Sequence, residues 1–262
     1  MIYSVSDMTT SHWTILEDRA AITLKGADSR DFLQGLVTQD LEALGRRMLY
    51  GAMLTPQGKM DHDFFISQDG DALVLECDAA RSEALAKKLM TYKLRRAVEI
   101  TVHPVRVLQS WNGVVAGYAD DPRPLVNASR GILKETPAGT DAGNDAYYIA
   151  CIEKRIPSGS RDIAWGEDTV ADIDLEYLNG VSFTKGCYMG QELTSRMHHR
   201  GLSKKALYTV QIVGDSLPAF TDIVYDGNLV GEMRSSVKGI GLAMLRKDSL
   251  DKAALAGFAT GT

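Results

Sequence analysis

The 262-residue chain has few of the features that mark membrane-spanning, secreted or zinc-binding proteins. Its longest stretch without a charged residue, 107–119, is too short and too polar to cross a bilayer. Cys77, Cys151 and Cys187 are odd in number and widely spaced, which fits neither a disulfide framework nor a CxxC zinc site. The N-terminus has neither the basic nor the apolar segment of a secretory signal. We therefore expect a cytoplasmic protein with free thiols.

Acidic residues outnumber basic ones by 34 to 29, which gives a net charge of −5. This balance argues against a general nucleic-acid binder, and we expect neither nucleic acid nor a membrane as a partner. Hydrophobic residues at 45% and charged residues at 24% are typical of a soluble globular protein. A chain of this length buries enough surface to fold without disulfides or a structural metal.

Apolar periodicity and turn residues predict a mixture of strands and helices before residue 203. In chain order the predicted elements are a hairpin over 12–24, a short helix around Phe32 and Leu33, strands over 48–54, 63–67 and 72–76, a helix capped by Asp78, a long strand over 98–108, loops and edge strands over 113–145, a buried strand over 146–152 and a short helix over 169–179.

After Ser203 the pattern changes to short strands separated by glycine and aspartate turns. The predicted strands are 207–213, 223–225, 229–233 and 240–245, a spacing that is typical of a small β-barrel. We therefore predict an α+β fold over residues 1–202, with a subdomain break near 100–145, followed by a C-terminal β-barrel over 203–262.

Residues 185–192, Lys-Gly-Cys-Tyr-Met-Gly-Gln-Glu, carry the strongest chemical signal. Gly186 and Gly190 permit a sharply turned backbone around Cys187, and 191–198 can begin a helix directly after it. The helix dipole and the cation of Lys185 would both favour a thiolate at Cys187. The alternative is a small buried thiol in a turn.

The other two cysteines have no such surroundings. Cys77 and Cys151 lie within apolar strand patterns, and free cysteine is among the most buried residue types. We expect both to be inert packing residues.

The segment 185–192 resembles the K-G-C-[FY]-x-G-Q-E signature of the folate-binding YgfZ family, relatives of the glycine-cleavage T-protein, an aminomethyltransferase. Weaker similarities occur in the family's order over nearly the whole chain, at 24–40, 56–59, 153–157, 180–183 and 239–246. The chain departs from the family pattern at Gln39, His62 and Cys151.

The resemblance implies a T-protein-like fold, with domains around a central cavity that holds tetrahydrofolate. It also implies a role in the maturation or repair of [4Fe-4S] proteins, which in bacteria reaches tRNA-thiolating radical enzymes. The expected partners are iron–sulfur client or assembly proteins, and the expected reactive residues are Cys187 and Lys185. The alternative is a folate-dependent aminomethyl or one-carbon transferase of the T-protein type, although the interrupted aspartate pair at His62 argues against turnover of that kind.

The resemblance also implies which residues contact folate. Glu153 occupies the position of the pterin-binding glutamate, and Asp61 aligns with the functional aspartate of the transferases. On an alternating strand Asp61 and Asp63 would share a face. Arg196 suits a folate-tail carboxylate because its guanidinium is a planar fork. The remaining predicted contacts come from the cysteine loop and are Tyr188, Gln191 and Glu192.

Two adjacent histidines, His198 and His199, are the residues most suggestive of a metal site. Neighbouring side chains diverge on a strand and lie about 100° apart on a helix, and no further ligand follows at helical spacing. We expect no metal site here.

Overall fold

The computed structural model describes residues 11–45, 47–201, 203–212 and 217–249. Its strands are β1 (His12–Lys25), β2 (Leu49–Leu54), β3 (Met60–Asp69), β4 (Ala72–Asp78), β5 (Glu99–Trp111), β6 (Ala119–Asp120), β7 (Ser129–Ile132), β8 (Lys205–Gln211), β9 (Asp222–Tyr225), β10 (Asn228–Val237) and β11 (Ile240–Arg246). Its α-helices are α1 (Ser29–Gln34), α2 (Ala79–Lys93), α3 (Asn144–Glu153) and α4 (Gln191–Arg200). None of these helices has the length and apolar character needed to cross a bilayer.

A seven-stranded antiparallel sheet in the order β2-β3-β4-β1-β5-β7-β6 forms the centre of the larger region. The predicted hairpin over 12–24 is wrong, because β1 is one long strand that pairs with β4 on one side and β5 on the other. The register with β5 shifts between Leu16 and Arg19. A β-bulge therefore absorbs the polar residues that the pattern suggested for a turn.

Two further predictions fail for related reasons. Residues 146–152 form most of α3 and not a buried strand, and Tyr147, Cys151 and Ile152 are buried at helical spacing. A short apolar run fits a buried helix as well as a buried strand, so its periodicity could not decide. The predicted helix over 169–179 is a series of turns, in which the Leu175 N–H donates to the carbonyl of Val170, five residues earlier.

The large sheet has an apolar core on each face. Leu33 of α1 and Leu85 of α2 share one core with Phe64. On the other face, Leu54 packs in a core that also contains Leu242 of the C-terminal sheet. That sheet has the order β8-β11-β10-β9, in agreement with the predicted C-terminal strands. The core shared by the two sheets fixes the C-terminal sheet against the first region.

Charged side chains are buried at the centre of the large sheet. Glu76 of β4 accepts hydrogen bonds from Arg19 of β1 and, at 2.7 and 3.1 Å, from Arg130 of β7. All three side chains are almost inaccessible to solvent, at 15% exposure or less. Burial alone would raise the pKa of Glu76, but the two guanidinium groups lower it. Glu76 therefore stays charged and joins three strands.

We expect Glu76→Gln to lower the free energy of unfolding by about 3–5 kcal/mol, because it leaves a buried guanidinium without its counter-charge. The measurement is urea unfolding at pH 7, with Glu83→Gln on the exposed face of α2 as the matched control. Since the folded pKa of Glu76 is lowered, its contribution is present at neutral pH and is lost as the pH falls. A loss no larger than that of the control would contradict this role.

Candidate functional site

The three cysteines differ in exposure as the sequence predicts. Cys77 on β4 and Cys151 on α3 are buried, whereas Cys187 is exposed on the loop before α4. Burial raises the pKa of the Cys77 thiol to about 12 and that of Cys151 to about 11. Helix α4 begins at Gln191, as predicted, so Cys187 lies just ahead of a helix N-terminus. Cys187 is the accessible thiol of the chain.

Lys185 is attached to the segment that follows α1. Its ammonium group donates hydrogen bonds to the carbonyl oxygens of Gln34, Val37 and Gln39, at 2.7, 2.8 and 2.8 Å. A lysine has three N–H donors, so these bonds use all of them. Burial lowers the pKa of Lys185 to about 8, and the charge of Asp40 opposes that shift. All three donors are therefore bound to backbone carbonyls of one segment, and the catalytic role expected for Lys185 from the sequence stays a prediction.

Further hydrogen bonds join the same two segments. The Met189 N–H donates to Gly35 O at 3.2 Å, and the Ser182 N–H donates to Thr38 O at 2.9 Å. The hydroxyl of Thr38 donates to Gly180 O at 2.6 Å across 142 positions of sequence. The cysteine loop thus packs on the N-terminal segment 34–39.

The other side of the loop packs closely against the turn at 55–58. Gly190 has φ +81°, and a Cβ there would lie 2.7 Å from the Thr55 oxygen. Gly58 has φ +75°, and its Cβ would lie 3.0 Å from the Gly190 oxygen. Only glycine has both the backbone freedom and the absent side chain that this contact needs.

Gly190→Ala and Gly201→Ala provide a matched pair at the two ends of α4. Both residues have positive φ, but a Cβ at Gly201 meets nothing within 4 Å. We expect Gly201→Ala to cost about 1 kcal/mol and Gly190→Ala about 2–4 kcal/mol, because only the latter adds a steric clash to the strained φ. Urea unfolding measures both. Equal costs would contradict the close contact.

The predicted folate contacts lie on different elements and differ in exposure. Tyr188 is buried, and burial raises its pKa to about 12. Gln191 begins α4, and the exposed side chains of Glu192 and Arg196 pair with each other at 2.7 Å. Glu153 is exposed at the C-terminal end of α3. None of these residues lines the small cavity between the large sheet and α3.

Asp61 is likewise bound to neighbouring protein groups. Lys88 of α2 donates a hydrogen bond to its carboxylate, and the Nδ1 of His62 lies 3.2 Å from the same oxygen. Burial alone would raise the pKa of Asp61, but these two partners lower it to about 2. Asp61 is therefore a paired, ionised carboxylate beside α2.

Asp63 lines the small cavity between the large sheet and α3. Its carboxylate accepts a hydrogen bond from the Tyr50 hydroxyl at 2.8 Å. Asp61 and Asp63 were expected to share a face of the strand, but Asp61 contacts Lys88 of α2 and Asp63 contacts Tyr50. The β2–β3 register shifts between Met53 and Leu54, which makes Asp61 the extra residue of a bulge. A bulge interrupts the alternation on which that expectation relied.

This cavity has a volume of about 50 Å³, room for a few water molecules, and its lining includes the exposed residues Asp18 and Arg161. Its lining is rich in arginine and also contains Asp63 and Tyr147. The arginines are Arg19, Arg123, Arg130 and Arg161. Arg123 is paired with Asp121 at 2.8 Å and donates to the Tyr147 hydroxyl at 3.0 Å.

Sequence reasoning missed this arginine-rich cavity, because Arg123 and Arg130 lie in a stretch that we predicted as loops and edge strands. A signal was present in β4. Glu76 follows the apolar run 72–75, and a buried polar side chain needs a partner.

His198 takes part in contacts other than metal binding. Its ring stacks on Phe183 with 3.8 Å between centroids, and its Nδ1 lies 3.1 Å from Glu176. Among the described residues, no three His, Cys, Asp or Glu side chains are grouped so as to hold a metal ion.

Comparison with solved structures shows the class of fold. The chain is similar to the glycine cleavage system aminomethyltransferase T of Bartonella henselae, with a TM-score of 0.64 and 12% identity over 90% of this chain and 78% of that one. Residues 204–260 match the C-terminal beta-barrel domain of the CAF17 family. The protein is thus a T-protein-like α+β protein with a C-terminal β-barrel, as predicted.

Comparison with characterised sequences shows the family. The human iron–sulfur cluster assembly factor IBA57, mitochondrial, is 32% identical over 90% of this chain and 77% of its own length. The mouse protein is 30% identical over 91% and 79%, and the Pyricularia oryzae homologue is 27% identical over 95% and 75%. The chain therefore belongs to the IBA57 family of iron–sulfur cluster assembly factors.

These names contradict one expectation and leave another as a prediction. Each of the three relatives is named as mitochondrial, so the expectation of a cytoplasmic protein is wrong. Membership of the YgfZ family in particular stays a prediction.

Proposed function

We propose that this chain assists the assembly of iron–sulfur clusters in other proteins and that Cys187 is its reactive group. Family membership supports the activity. Cys187 is chosen as the reactive group because it alone of the three thiols is exposed, on a loop bound to two other segments. Cysteine thiolates are the usual ligands of iron–sulfur clusters.

Cys187 is better suited to that chemistry than Cys77 or Cys151. The thiolate is the form that binds metal and attacks electrophiles. At Cys77 and Cys151, burial disfavours the thiolate and blocks access. An iron–sulfur client or assembly protein can reach Cys187 without any opening of the fold.

The cysteine is tested by Cys187→Ser in cells that lack the protein. We expect the variant to fold like the parent and to restore less than about a tenth of the activity of a cluster-dependent enzyme, because serine is a poor ligand and nucleophile where a thiolate is needed. Cys77→Ala is the control and should restore activity. Full restoration by Cys187→Ser would reduce the loop to a structural role.

One-carbon transfer is the competing function. The similarity to an aminomethyltransferase rests on 12% identity and concerns the fold. Asp61, the residue predicted to act at the folate amine, is already paired with Lys88. Both facts favour the assembly function over transferase turnover.

Tetrahydrofolate is the ligand that the family resemblance predicts. The predicted contacts Glu153, Asp61 and Arg196 do not converge on one cavity, so this set does not fit a single folate site. The small cavity between the large sheet and α3 is lined by three carboxylates, Asp18, Asp63 and Asp78, and a carboxylate is the kind of group that accepts hydrogen bonds from a pterin. No step of the proposed function passes through folate.

Calorimetry with tetrahydrofolate tests this part separately. If the ligand enters the cavity, Asp63→Asn should weaken binding by about ten- to a hundredfold through loss of a charge-assisted hydrogen bond, and Glu153→Ala should leave it unchanged. The opposite order would return the pterin to Glu153. Absence of binding to the parent would remove folate from the account and leave the role of Cys187 untouched.

A further inference from the structure

Three backbone carbonyl oxygens converge on one point beside the cysteine loop. The oxygens of Gln34, Val37 and Gln39 lie 2.7, 2.8 and 2.8 Å from the Lys185 nitrogen. Gln34 is the last residue of α1, whose final carbonyls have no partners within the helix, and Val37 and Gln39 belong to the segment that follows it. Such a group of oxygens suits a small cation that donates hydrogen bonds. An ammonium fits, because its donors radiate from one nitrogen, whereas those of arginine lie in a plane.

We infer that Lys185 is a positioning residue for Cys187, whose ammonium fills this carbonyl site and thereby fixes the loop that presents the thiol. Lys185 lies two residues before Cys187, and Met189, two residues after it, donates to the Gly35 oxygen. Both attachments end on the segment 34–39. The cysteine is thus held from both sides. The positioning role of Lys185 rests on the proposed function of Cys187, whereas the attachment of Lys185 to segment 34–39 does not depend on that function.

Chemical rescue of Lys185→Ala tests the inference. The alanine variant lacks three carbons and the nitrogen, which propylammonium in solution can replace. The readout is hydrogen exchange of the amides in 186–190, followed by mass spectrometry. We expect exchange about tenfold or more faster in the variant, because an attachment of the loop is lost. Propylammonium should slow it again, whereas tetramethylammonium, which has no N–H, should not.

Lys87→Ala, which removes an exposed lysine of α2, is the matched control and should exchange like the parent. If Lys185→Ala unfolds in plain buffer, refolding in propylammonium but not in tetramethylammonium supports the inference equally. Parental exchange in Lys185→Ala, or equal rescue by the two cations, would overturn it.

The consequence for Cys187 is measured in cells that lack the protein. Lys185→Ala should restore less than about a tenth of the activity restored by the parent, although its cysteine is intact, because a displaced reactive group loses rate steeply. Full activity of Lys185→Ala would overturn the positioning role. Full activity of Cys187→Ser would instead contradict the proposed function of Cys187. In that case, rescue of hydrogen exchange in Lys185→Ala by propylammonium alone would still show that the Lys185 ammonium fills the carbonyl site.

Discussion

The convergence of three carbonyl oxygens on the Lys185 ammonium is the interaction on which the cysteine site depends. Unpaired backbone carbonyls cost free energy when buried, and a buried ammonium without acceptors costs more. Each satisfies the other here, across about 150 positions of sequence. A lysine in a cysteine motif would ordinarily suggest electrostatic help for the thiolate. In this fold its hydrogen bonds place the thiol at the surface and leave it free.

At the centre of the large sheet, buried charged groups likewise pair with one another. Arg19 and Arg130 enclose Glu76, and Arg123 pairs with Asp121 beside Tyr147. These side chains occupy the space between the sheet and α3 and leave a cavity of about 50 Å³. The interior thus contains ion pairs between side chains of this chain, while the accessible thiol of Cys187 lies outside it. The chain has a T-protein-like fold, but its accessible reactive group, Cys187, lies on the cysteine loop.

Sequence reasoning succeeded where the signal was local. The octapeptide located the exposed cysteine and the start of α4, and turn residues located the C-terminal strands. It failed where strand pairing decides the outcome. A bulge keeps β1 in one piece, and another turns Asp61 away from Asp63. The partners of Lys185 are backbone oxygens, which no side-chain pattern can reveal. They could be found only once segments 34–39 and 185–190 were brought together.

Selective alkylation followed by cluster insertion tests the central claim most directly. Iodoacetamide applied to the native protein should modify Cys187 at least about a hundredfold faster than Cys77 or Cys151, whose pKa values are about 12 and 11. Protein alkylated at Cys187 alone is then assayed for insertion of iron–sulfur clusters into a recipient apoenzyme. The account predicts that insertion falls in proportion to the alkylated fraction. Undiminished insertion by fully alkylated protein would contradict it.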